Sequence, residues 1–168
     1  MANSSISRRT ARPRRPLTRA MLLPLPIETA SKMCLAIHLA LAACRREGSG
    51  AAYQFNELLR VFYMTLFLQE NGFGALPLKL YARAEKNLNA RLSRGKHGDH
   101  WFIDAETPTV FEKVLQLHDE QLRRITYRDL AFARERIEGF IRSARVSPLG
   151  DDVRLAIRES QANSSETS

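Results

Sequence analysis

Apolar residues recur along this chain in five blocks at helical spacing, separated by polar, glycine- or proline-marked stretches. In the first block Ile27, Ala30, Cys34, Ile37 and Leu41 follow one another every three to four residues, the period of one helix face. This predicts a helix over 27–46. Pro24 and Pro26 hold the chain extended ahead of it. Arg45 and Arg46 suit its last turn, and Gly48 its stop.

The second block, "AAYQFNELLRVFYMTLFLQENGFG", is the most hydrophobic. Leu58, Leu59, Phe62, Leu66 and Phe67 make a main face, while Phe55, Val61, Tyr63, Met64 and Leu68 leave little of the circumference polar. A helix apolar on nearly all sides belongs at the centre of a bundle. Asn71-Gly72 is a C-cap sequence that ends it. The third helix is expected from Pro77, a first-turn residue, to near Arg94, with Leu78, Tyr81, Leu88 and Leu92 as its stripe. In the polar loop "RGKHGDHWFIDAE" that follows, Trp101, Phe102 and Ile103 are expected to fill a gap in the core.

Thr107-Pro108 opens a fourth helix with Phe111, Val114, Leu115 and Leu122 on one side. The stripe then slips phase: from Ile125 the next apolar positions are Leu130, Ala133, Ile137 and Phe140. Thr126-Tyr127-Arg128-Asp129 has the spacing of a capping box. A break is expected there, with a fifth helix over 127–144; one kinked helix over 107–144 is the alternative. "SPLGDD" reads as a turn, 151–160 as a short helix and "QANSSETS" as a polar tail. No strand pattern stands out, and the signature residues of 34-residue helical-pair repeats are absent. The expected fold is all-α, a single compact bundle of about five helices over 22–145. A disordered Arg/Pro-rich leader over 1–21 precedes it, and a turn, a short helix and a disordered tail over 146–168 follow.

At 168 residues the chain is long enough to bury a core without covalent staples. Cys34 and Cys44 lie ten apart on one expected helix, about 15 Å along its axis against the roughly 7 Å a disulfide tolerates. Both read as reduced, buried side chains, which suits a cytoplasmic protein. No apolar run approaches a membrane span without a polar break, so no membrane association is expected.

The net charge of +8 changes meaning once it is located. Residues 1–20 carry Arg8, Arg9, Arg12, Arg14, Arg15 and Arg19 with no acid; the remainder carries 20 basic and 18 acidic residues. The bundle is nearly neutral and the leader is basic. Such a leader fits a phosphate-binding arm. "SRR" at 7–9 also opens like a twin-arginine signal, but "AMLLPLPI" is too broken by proline for its apolar region. The composition fits a mitochondrial-type presequence, although the prolines spoil the amphipathic helix. A solvated leader without a partner, or a true start at Met21, are the plain alternatives.

Within the bundle, Lys79, Arg83, Lys86, Arg91 and Arg94 fall on the third helix against Glu85 alone, spread over an arc of about 140° opposite its apolar stripe. Together with Leu68, Gly72, Leu78 and Tyr81, residues 62–86 loosely match a helix-turn-helix with the third helix as reader. The opposing expectation is that the acids of 99–120 (Asp99, Asp104, Glu106, Glu112, Asp119, Glu120) neutralise this face. Cys34 and His38 at i and i+4 would need two further ligands, such as His97 and His100, to hold a metal. "HGDHW" pairs a base with a carboxylate but has no nucleophile set beside it. Pro13 to Pro16 is a PxxP match of the kind any arginine-proline leader produces. No catalytic residue, metal or cofactor is expected.

The stretches "YQFNELLRVFYMTLFLQENGFG", "LYARAEKNL" and "LQLHDEQL" resemble small helical proteobacterial proteins labelled Fis-family transcriptional regulators. The resemblance covers about 21–145. It implies DNA binding through a C-terminal helix-turn-helix, whereas 127–160 lacks that family's short helix, glycine turn and basic reading helix. The expectation is a non-enzymatic cytoplasmic regulatory or accessory protein that contacts DNA through the eleven named basic residues. A helical protein–protein module, homodimeric through the 127–144 stripe, is the alternative.

Overall fold

The computed structural model describes residues 18–46, 50–95, 107–143, 145 and 147–150, with backbone alone at 91–95 and 107–108. Five α-helices follow a short 3-10 turn at Arg19–Leu22: α1 (Ile27–Arg45), α2 (Ala52–Glu70), α3 (Leu78–Gly95), α4 (Thr107–Leu122) and α5 (Tyr127–Arg142). The architecture is all-α; among the described residues the sole β feature is an isolated bridge between Pro24 and Thr126.

α2 is the centre. Its eight consecutive residues from Val61 to Leu68 are all buried, and α1, α3, α4 and α5 all pack on it. α1 and α3 each also meet α4, while α1 and α5 flank α2 without touching each other. Phe62 gathers an aromatic cluster, with ring centroids 5.2 Å from Tyr63, 5.5 Å from Tyr81 and 6.3 Å from Phe111, within the range of favourable edge and tilted contacts.

The helix ends follow local chemistry. After α2, Phe73 N–H donates to Leu68 C=O (3.0 Å) and Gly72 N–H to Gln69 C=O (2.9 Å), the paired bonds of a Schellman stop, with Gly72 at φ +92°. Gly74 (φ +78°) is also required: a Cβ there would sit 2.3 Å from Leu117 Cδ1. The α4–α5 junction is a true break. Thr126 Oγ1 accepts from Asp129 N–H (3.3 Å), and Asp129 Oδ2 accepts from Thr126 N–H (2.9 Å), so both faces of the cap are satisfied.

Several expectations shift. Ile27 is 78% exposed and Leu78 is 40% exposed, although each opens its helix on the expected stripe. Cys34 is half-buried while Cys44 is fully buried; neither forms a disulfide. The chain from residue 18 onward belongs to the fold, since the 3-10 turn packs on α5. Leu25 N–H donates to Ile125 C=O (3.1 Å) and Tyr127 N–H to Leu23 C=O (3.3 Å). The core also runs past 145, through Leu149 at 4% exposure. α5's stripe of Leu130, Ala133 and Ile137 is buried within the chain, so that stripe is not free to form a homodimer. By length and composition alone α1 could cross a membrane; here its inner face, through Ile37, Ala40, Leu41 and Cys44, packs in the bundle. The Trp101–Ile103 plug and the 151–160 helix lie outside the described residues.

Burying all of 61–68 brings polar groups inside, and they are joined across helices. Thr65 Oγ1 donates to Val61 C=O (2.8 Å) and contacts His118 Nδ1 at 3.2 Å. Gln121 Nε2 donates to Thr65 C=O (3.1 Å) and Phe73 C=O (2.8 Å). Gln69 grips Leu76 at both backbone groups, accepting from its N–H (2.6 Å) and donating to its C=O (2.9 Å). The two glutamines thereby pin the residues that lead into α3.

Burial lowers the His118 pKa from 6.5 to about 4, against the opposing pull of the Asp119 carboxylate and the Gln121 carboxamide; the His38 imidazole lowers it slightly further. Between those two values the unfolded chain holds a proton that the folded chain rejects. Stability is therefore complete above pH 6.5 and falls as the pH drops toward 4, by on the order of 3 kcal/mol at ~1.4 kcal/mol per unit. Urea unfolding at pH 7 and pH 4.5 should show this loss in the natural chain and a shallower one in His118→Gln.

Candidate nucleic-acid interface

α3 is amphipathic by construction. Tyr81, Ala84 and Leu88 are buried, and at 100° per residue Lys79, Arg83 and Lys86 point the opposite way; all three are exposed. Arg83 holds an interaction of its own. The backbone of Arg91 and Arg94 continues the helix, and their side chains lie outside the described residues, as do Arg8, Arg9, Arg12, Arg14 and Arg15. Arg19 is exposed in the 3-10 turn.

The one acid of α3 is turned inward. Glu85 is 2% exposed and accepts hydrogen bonds from Tyr63 OH (3.2 Å) and Ser147 OH (2.7 Å). A carboxylate survives burial only when hydroxyl or cationic donors replace its water. Here those donors come from α2 and from the segment after α5. The bond also docks Ser147 and Leu149 against the bundle, with Ser147 Oγ accepting from Leu149 N–H (3.1 Å). The outward face of α3 is left without an acid among the described residues.

Two of the acids expected to neutralise α3 are turned elsewhere. Glu112 pairs with Arg45, and Asp119 Oδ2 lies 2.9 Å from His38 Nε2, so both acids face α1 rather than α3. Asp99, Asp104 and Glu106 lie outside the described residues. The helix-turn-helix reading loses its geometry: seven residues, 71–77, separate α2 from α3, and α2 is 19 residues long, against a three- or four-residue turn in that motif.

The structure brings out a second basic region. Arg123, Arg124 and Arg128 are exposed at the α4–α5 corner, with no ion pair among the described residues. Residues 23–25 run alongside 125–127, so the chain leading from the arginine-rich leader enters the fold at this corner. The string "RRITYR" at 123–128 carried the signal, but its threonine cap drew the attention. Arg136, by contrast, is engaged: it pairs with Glu70 and stacks 4.1 Å from the Phe67 ring centroid.

Cys34 and His38 of α1 both lie against Asp119 of α4. Burial and the neighbouring Asp119 push the Cys34 thiol up to about 12, far from a reactive thiolate. His38 is held by Asp119. No metal-holding group of three His, Cys, Asp or Glu side chains occurs among the described residues; His97 and His100 lie outside them.

Compared with known proteins, the chain matches no family model, no curated protein and no solved structure.

Replacing Glu85 by Ala leaves the Tyr63 and Ser147 hydroxyls without this acceptor and should destabilise the fold by about 1–3 kcal/mol. Glu85→Gln, which keeps an acceptor, should lose less. Paired urea titrations of the two variants measure the difference.

Proposed function

We propose that this is a non-enzymatic regulatory or accessory protein, acting in the cytoplasm, that binds DNA chiefly through its phosphates. The observation that carries the reading is the inward turn of Glu85. It leaves Lys79, Arg83 and Lys86 on an outward face without an acid among the described residues. The Arg123, Arg124 and Arg128 corner lies where the leader, with Arg8 to Arg15, joins the bundle. Two basic regions on a nearly neutral body favour salt-dependent, sequence-tolerant attachment over base reading. The Fis-type label of similar helical proteins agrees with a DNA role, without supplying a reading helix.

Fluorescence anisotropy with labelled duplex DNA tests this. If the six leader arginines all engage phosphates, affinity should fall on the order of 10³-fold between 50 and 200 mM salt. The double variant Lys79→Ala, Lys86→Ala should bind more weakly and show a salt slope shallower by about 2. No binding at 50 mM salt sinks the proposal.

One observation favours a second reading, a protein–protein module. Leu35 and Leu39, one turn apart on the outward face of α1, are 61% and 60% exposed. A homodimer through this ridge would sediment as twice the chain mass and would dissociate with Leu39→Lys.

A further inference from the structure

α1 uses its two faces differently. Ala30, Ile37, Leu41 and Cys44 are buried in the bundle. On the far side Glu28, Lys32, Leu35, Leu39, Ala42 and Arg46 follow one another in alternating steps of four and three residues, and all six are exposed. At 100° per residue they fall within an arc of about 80° centred opposite Ile37. Alternating steps of four and three are the spacing of the a and d positions through which helices pair in a coiled coil. Leu35 and Leu39 stand at the middle of this seam, and charged side chains occupy its two ends.

The charges on the seam select a partner and its direction. A second copy of α1, laid antiparallel along the seam with a two-fold axis midway between Leu35 and Leu39, brings Leu35 of each copy against Leu39 of the other. Lys32 then lies over Ala42 of the second copy, whose small side chain leaves room for the lysine stem while the amine reaches water. Glu28 meets Arg46 of the second copy, once at each end of the pair. The parallel arrangement instead sets Glu28, Lys32 and Arg46 each against its own copy, like charge on like. Glu28, Lys32 and Arg46 have no ion pair among the described residues, whereas the neighbouring Arg45 is turned to Glu112 of α4. The seam charges are therefore available to a second chain.

We propose that α1 pairs with α1 of a second copy of this chain, antiparallel about a two-fold axis at Leu35 and Leu39, and that the two Glu28–Arg46 pairs fix its direction and register. This rests on the protein–protein reading of the Leu35–Leu39 ridge and gives it a geometry; it does not depend on the DNA reading. One helix per chain is a small interface, so the dimer is weak and forms with rising concentration.

Sedimentation equilibrium of the full chain tests it, at low salt, where exposed pairs are least screened. From about 1 to about 300 µM the average mass should rise toward twice that of the chain, and Leu39→Lys should hold it at the monomer. Glu28→Arg sets two cations together at each end of the pair and should raise the dissociation constant about fivefold. Combining it with Arg46→Glu exchanges the charges and should restore the natural value. Helix stability alone would give the opposite order, since the exchange places both charges against the helix dipole. All three positions are exposed, and circular dichroism checks that each variant keeps its helices. A dimer that Leu39→Lys abolishes but Glu28→Arg leaves unchanged overturns the antiparallel geometry and keeps the ridge as an interface. A chain that stays monomeric overturns both, including one whose ridge carries it to phosphatidylcholine vesicles in flotation. A dimer that survives Leu39→Lys also overturns both.

Discussion

Everything in this fold is arranged around the burial of α2. A helix with eight successive residues out of water cannot lie on a surface; it has to be surrounded. Four helices do so, and each is left with one face for the centre and one for solvent. The hydrophobic gain from such a centre is large, at about 25 cal/mol for each Å² of apolar surface removed from water. The same burial takes Thr65 and the facing His118 and Gln121 out of water. They stay buried because their hydrogen bonds run between helices: Thr65 to His118, and Gln121 to the backbone of α2 and of the following turn. A buried polar group with one partner fixes geometry more narrowly than an apolar contact does. The connection into α3 is consequently held at Phe73 and Leu76 rather than left to a short turn.

This constraint links the core to the surface. The pinned connection sets where α3 begins, and Glu85, one helical face away from Lys79 and Lys86, becomes the anchor for Ser147. Turning the acid inward serves two ends at once: the carboxylate ties the segment after α5 to the bundle, and the solvent face of α3 is left without an acid among the described residues. Two of the three acids of α4, Glu112 and Asp119, are likewise spent on α1, at Arg45 and His38. Charge that nearly cancels when summed over residues 21–168 is unevenly placed among the described residues, and local placement matters more for phosphate attachment than net charge does.

The helices were legible because their signals are local. The phase slip between Ile125 and Leu130, with the Thr126–Asp129 cap, favoured two helices and left one kinked helix as the alternative; the structure has two, and the observed cap has both expected bonds. Asn71-Gly72 likewise announced its stop. The candidate surface was legible only in part. The periodicity placed Lys79, Arg83 and Lys86 opposite the stripe correctly, but it could not say that Glu85, two positions from Arg83, would be carried into the core. At about 70° from the centre of the buried stripe it stands at the edge of two faces, and the hydroxyls of Tyr63 and Ser147 decided the matter. Arg123, Arg124 and Arg128 were passed over because nothing local says that residues 23–25 lie beside them.

The sequence by itself determined the number of helices, their ends, the centrality of α2 and the separation of a basic leader from a nearly neutral bundle. Each rests on spacing, caps or composition within one segment. Only the tertiary structure decided which acids meet which bases, that α5's stripe is consumed inside the chain, and that His118 is buried against Thr65. Those outcomes depend on pairs more than fifty residues apart, such as Thr65 with His118 and Glu85 with Ser147. Hydrogen bonds and ion pairs act over a few ångströms, so their partners are fixed by how the helices pack and not by any pattern along the chain.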